Sequence, residues 1–142
     1  MDTKKTPGQL AREFFNQGYS CSESVWLALS QDLDAAQRDF GLKIAGAFSG
    51  GCGCGSLCGA VAGGLMAAGR WYGRAFGEPK PTALSDIAKR LTETVKAKFG
   101  GLDCSQLKQN TEEWRQKCGE LVEFVANLVD QVLDEGDEED CG

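Results

Sequence analysis

Short polar side chains stand at intervals along this chain, each with an acid or amide three residues on: Ser20-x-x-Glu23, Asp34-x-x-Gln37, Asp103-x-x-Gln106 and Asn110-x-x-Glu113. This is the signature of a helix N-terminus. The first side chain takes up one free backbone N–H and the second reaches back to another. Thr6-Pro7 adds a further start, with Pro at the first helical position. The segments downstream of these starts have the helical period: Leu10 with Phe14, Ala11 with Phe15, then Val25, Trp26, Leu29 and Leu33, then Phe40, Ile44 and Phe48. Ser56 reads as the cap of a helix from about Leu57 to Phe76. Leu84, Ile87, Leu91 and Val95 form a clean stripe, and the last segment carries Leu121, Val125, Leu128 and Val132 on one face with Phe124 and Val129 beside it. No segment alternates with period two. The pattern predicts an all-α fold, a single compact helical bundle of about five or six helices over residues 1–134, with 135–142 as an acidic tail.

A chain of 142 residues suits one domain with its own core. Histidine is absent. That removes His-ligated zinc, haem attachment through Cys-x-x-Cys-His, and Cys/His or Ser/His catalysis. The formal charge is −6, but Asp134–Asp140 hold six acids and no base, so the remainder is neutral. It offers no basic face to nucleic acid. The opening MDTKKTPGQL lacks the apolar run of a secretory leader. The Gly-broken stretch around Leu57–Ala68 is too short to span a bilayer. The expectation is a cytoplasmic protein without membrane partners, in a compartment that keeps thiols reduced. Its seven cysteines, an odd number, then point away from a disulfide framework and toward metal or redox chemistry.

The stretch from Ser49 to Gly64, SGGCGCGSLCGAVAGG, holds three cysteines and seven glycines. Cys21 follows the capping Ser20, Cys58 lies two residues after Ser56, Cys104 follows the capping Asp103, and Cys118 falls at or near the start of the last apolar helix. All four are thus predicted at positive helix ends, which favour thiolates. The bland alternative is that they are small buried hydrophobes. Gly55, Gly59 and Gly63, and later Gly69 and Gly73, recur every four residues, a spacing that allows helices to approach closely. Gly50, Gly51, Gly53 and Gly55 precede the helix and suggest backbone N–H groups turned toward an anion. Cys52-x-Cys54-x-x-x-Cys58 matches neither a zinc ribbon nor a ferredoxin run, so any ligands would be gathered by the fold. Cys141, in the acidic tail, reads as a resolving thiol or an incidental one.

At Cys58-Gly59-Ala60-Val61-Ala62-Gly63 the chain resembles a family known by its cysteine pattern, C_GCAxxG_C_C, and described as redox-active. The resemblance extends over GYSCSESV around Cys21, KFGGLDCSQL around Cys104 and KCGELVEFV around Cys118. It implies a small helical redox protein whose four pattern cysteines are Cys21, Cys58, Cys104 and Cys118. Cys52 and Cys54 stand where many members lack cysteine. A similar domain in a multihaem cytochrome with an iron–sulfur centre adds weight to cluster binding.

These readings combine into an expected iron–sulfur cluster, or another thiolate-ligated metal such as zinc, serving electron transfer or redox sensing with a redox partner protein. The expected ligands are Cys21, Cys58, Cys104 and Cys118, with Cys52 and Cys54 as additional ones and Gly53, Gly55 and Gly59 lending backbone contacts. The alternative is a metal-free thiol–disulfide oxidoreductase using low-pKa cysteines, with Cys58 and Cys21 as the catalytic pair. In a third reading the thiols are filler and the helix faces serve assembly, for instance as a homodimer.

Overall fold

The computed structural model describes residues 4–108 and 113–141 of the chain. Seven α-helices lie among the described residues: α1 (Pro7–Asn16), α2 (Cys21–Leu29), α3 (Ala35–Ala45), α4 (Gly59–Tyr72), α5 (Thr82–Phe99), α6 (Cys104–Lys108) and α7 (Trp114–Cys141). The all-α reading holds, with slightly more helices than expected. The cap expected at Asn110 and the side chain of Cys141 lie outside the described residues. The backbone of α7 continues through the acidic segment. No helix among the described residues is long and apolar enough to cross a membrane.

Local chemistry sets most of the helix starts. The Thr6 and Ser20 side chains each accept from the N–H three residues on, and Gln9 and Glu23 return the bond to the backbone of Thr6 and Ser20. Asp34 caps α3 through the Gln37 N–H at 2.8 Å. The α5 stripe buries Ile87, Leu91 and Val95, and the helix ends at Gly100 in the left-handed conformation. α7 supplies the largest share of the core: Leu121, Val122, Val125, Ala126, Val129 and Val132 are all buried. Each such branched side chain contributes about 1.5–3 kcal/mol by leaving water.

α2 lies at the centre, packed by α1, α4 and α7. Its contact with α4 is close because Gly63 has no side chain; a Cβ there would meet the Ser22 carbonyl oxygen at 2.5 Å. Gly59 and Gly63 therefore do what their spacing suggested. Gly69 faces open space, and Gly73 lies against the backbone of Gly69 at the helix end, so the stripe stops before them.

Three sequence expectations fail here. The first concerns the face of α3, where Phe40 and Ile44 are 69% and 47% exposed. The buried face carries Gly41 and Ala45 instead. Gly41 sits directly on the indole of Trp26, whose Nε1 donates to the Arg38 carbonyl at 2.9 Å. A broad indole against a glycine turns the helix so that its larger apolar residues face outward. The second is the start of α4, which begins at Gly59 and not at Leu57. Residues 56–58 are engaged in a short antiparallel bridge between Leu57 and Asp103. There the Cys58 N–H donates to Leu102 O at 2.8 Å and the Cys104 N–H to Ser56 O at 2.6 Å. The helix also ends early, at Tyr72, because Gly73 turns to extended backbone. The third is Cys118, which is the fifth residue of α7 and lies in its second turn, away from the cap.

A cavity lined by four thiols

Two local devices bring sulfur atoms together. The Leu57–Asp103 bridge sets Cys58, the N-cap of α4, beside Cys104, the first residue of α6. The Gly59 and Gly63 contacts draw the start of α2 onto the start of α4; a Cβ on Gly59 would lie 3.5 Å from the Cys21 Cβ. α7 then passes across this junction and adds Cys118. The result is a cavity of about 290 Å³ whose wall includes Cys21, Cys58, Cys104 and Cys118. The other lining residues are Phe15, Leu107, Trp114 and Leu121, the polar Tyr19, Ser20, Glu23, Ser49 and Arg115, and the backbone of Gly18, Gly50 and Gly59.

Burial and mutual repulsion govern the thiols. A hydrogen bond with the Cys118 sulfur holds the proton of Cys21 and pushes its pKa far up. Burial and the neighbouring sulfurs of Cys118, Cys58 and Cys104 add to the shift. Burial also pushes the Cys58 thiol up. The N–H groups of Val61 and Ala60, at the start of α4, pull the other way without prevailing. The low-pKa thiolates expected from helix-end placement are thus not what this arrangement favours, because the Cys118 hydrogen bond at Cys21 and burial at Cys58 outweigh the helix end.

Arg115 places a fixed positive group at the wall. Its Nη2 donates to the Phe15 carbonyl at 3.1 Å, and its guanidinium lies over the Phe15 ring at 4.7 Å from the centroid. Glu23 is held by its return bond to the Ser20 N–H at 2.9 Å.

Cys52 and Cys54 are exposed and do not line the cavity, nor do Gly53 and Gly55. Gly51 explains why. It faces inward, and a Cβ there would sit 2.7 Å from the Cys104 Cβ, so the residues after it turn toward solvent. Gly53 has open space around it, while Gly55 lies against Ser105. Gly59, by contrast, is part of the wall. Sequence reasoning missed Trp114 and Arg115, although a usable signal existed. They precede Cys118 by four and three residues on one helix and therefore share its face. Phe15 and Tyr19 carried no such signal; Phe15 enters the wall from α1 and Tyr19 from the turn that follows it.

The cavity offers four sulfur donors and no imidazole, a donor set that suits soft metals and iron–sulfur clusters. Among the described residues, however, no three Cys, Asp or Glu side chains form a group that could hold a metal ion. The family model described as "Putative redox-active protein (C_GCAxxG_C_C)" matches residues 19–132, a span that contains all four cavity cysteines. Neither a curated protein nor a solved structure matches the chain.

Proposed function

The chain belongs to the C_GCAxxG_C_C family of redox-active proteins, and from that premise we propose that Cys21, Cys58, Cys104 and Cys118 hold an iron–sulfur cluster in a cytoplasmic protein that passes electrons to a redox partner protein or senses redox state. The observation that carries this reading is the convergence on one cavity of four thiols, from α2, α6, α7 and the N-cap of α4. Zinc is the other metal that this donor set suits. Bound there, a cluster supplies one-electron reduction and oxidation at thiolate-ligated iron.

The chain's own residues do the rest. Phe15, Leu107 and Leu121 limit water at the wall. Arg115 balances negative charge from a position fixed by the Phe15 carbonyl. The Ala60 and Val61 N–H groups favour the ionised sulfur of Cys58.

A second reading is favoured by one specific contact. The hydrogen bond between Cys21 and Cys118 brings two sulfurs together without any metal, which suits a metal-free dithiol with Cys118, and not Cys58, as the partner of Cys21. Purification under strict exclusion of air separates the two. Stoichiometric iron and acid-labile sulfide, visible absorbance that bleaches on reduction, and loss of colour in each of Cys21→Ser, Cys58→Ser, Cys104→Ser and Cys118→Ser are the expected results. A colourless protein that cycles between thiols and a Cys21–Cys118 disulfide would establish the second reading instead. Thiols without metal that resist alkylation until denaturation would overturn both.

A further inference from the structure

Outside the cavity, a second pair of thiols sits on a strained turn. Gly50, Gly51, Cys52 and Gly53 all adopt left-handed backbone, with φ of 67°, 65°, 62° and 75°. Glycine does this freely, but Cys52 does not, and it is the single non-glycine residue at positive φ among the described residues. No side-chain hydrogen bond or packing partner explains it, for Cys52 is exposed. A strained residue kept at an exposed position points to a use for its side chain.

The turn also has a geometric effect. In extended backbone, residues two apart share a face but stand about 7 Å from each other. In a helical turn of either hand they stand about 5.4 Å apart, inside the 4.4–6.8 Å range that a disulfide bridges. The Cys54 thiol is already folded back over the turn, donating to the Gly51 carbonyl at 3.6 Å. Gly50 and Gly53 have open space around them, so a reagent reaches the pair without a docking groove.

We propose that Cys52 and Cys54 form a separate, solvent-facing dithiol that reduces small-molecule disulfides, whatever occupies the four-thiol cavity. The thiolate of one cysteine attacks a sulfur of the external disulfide RSSR, forming a mixed disulfide and releasing RS⁻. The second cysteine loses its proton and attacks the cysteine sulfur of that mixed disulfide. The Cys52–Cys54 bond closes and the second RS⁻ leaves. Two electrons pass from the pair to RSSR, and the two cysteine protons go to the released thiolates.

The test uses the full chain, reduced and kept free of air, with glutathione disulfide as the probe. Intact mass and fragmentation are expected to show the loss of two hydrogens, with the new bond between Cys52 and Cys54, and Cys58 alkylated only after unfolding. Cys52→Ser and Cys54→Ser are each expected to stop at a stable glutathione adduct on the remaining cysteine, with the circular dichroism of the native chain. Gly53→Val, which disfavours the left-handed turn, is expected to slow closure about tenfold while leaving adduct formation unchanged. A wild-type chain that keeps glutathione on either cysteine, fails to react, or links Cys52 or Cys54 to a cavity cysteine would overturn the proposal. So would closure at an unchanged rate in Gly53→Val.

Discussion

Gly63→Ala tests the contact on which both the core and the cavity depend. The new methyl group would lie 2.5 Å from the Ser22 carbonyl oxygen and 3.2 Å from the Ser22 Cα, both backbone atoms that no rotamer change can move. Reaching ordinary contact means moving α2 from α4 by nearly 1 Å, against the close-packed Val25 and Ala28. Overpacking of this kind costs about 1–3 kcal/mol, and an unyielding backbone neighbour places it at the upper end. The helix-propensity gain of Gly→Ala returns about 1 kcal/mol, so the net loss is about 2 kcal/mol. Gly69→Ala, on the same helix with nothing within 4 Å, receives the propensity gain alone. For a domain of this size 1 kcal/mol moves Tm by about 3–4 °C. Thermal unfolding of the reduced chain, followed by circular dichroism without air, should therefore show Gly63→Ala about 6–8 °C below the native chain and Gly69→Ala about 3–4 °C above it. Because Ser22 adjoins Cys21, Gly63→Ala should also impair any metal binding that Gly69→Ala leaves intact. Equal stability of the two variants would refute the claim that this glycine is required for helix approach.

Gly41→Ala drives a methyl group into the Trp26 indole at Cζ2; it should cost about 1–3 kcal/mol in urea unfolding, with a change in Trp26 fluorescence. Cys52→Gly relieves a left-handed non-glycine residue and should raise stability by about 1 kcal/mol in the same assay, after allowance for the added freedom of the unfolded chain. Asp32 accepts from Arg70 at 2.8 Å through Oδ1 and again through Oδ2, which lowers its carboxyl pKa below the usual value. The contribution is therefore present above about pH 4 and fades as pH falls through the lowered folded-state pKa. Asp32 is more than half exposed, so Asp32→Asn should cost at most about 1 kcal/mol at pH 7. The difference from the native chain should vanish in acid unfolding curves below that range.

Local interactions were legible in the sequence because they act within one turn of chain. The starts of α1, α2 and α3 follow from Thr6, Ser20 and Asp34, each satisfied by a group three residues away. The buried faces of α5 and α7 follow from apolar spacing alone. The absence of histidine and the spacing of the cysteines narrowed the chemistry to sulfur before any helix was placed. Spacing does not carry which faces meet. Phe40 and Ile44 have the pattern of a core stripe, but the side of α3 that packs was settled by the fit of Gly41 against Trp26. The start of α4 was settled by hydrogen bonds to residues 102 and 104, more than forty positions along the chain. The six cysteines at 21, 52, 54, 58, 104 and 118 look alike as residue types, and tertiary packing alone sorted four into the cavity and two onto the surface. Caps and periods are energies of neighbours in sequence, whereas a cavity is made by atoms that become neighbours only after the helices dock.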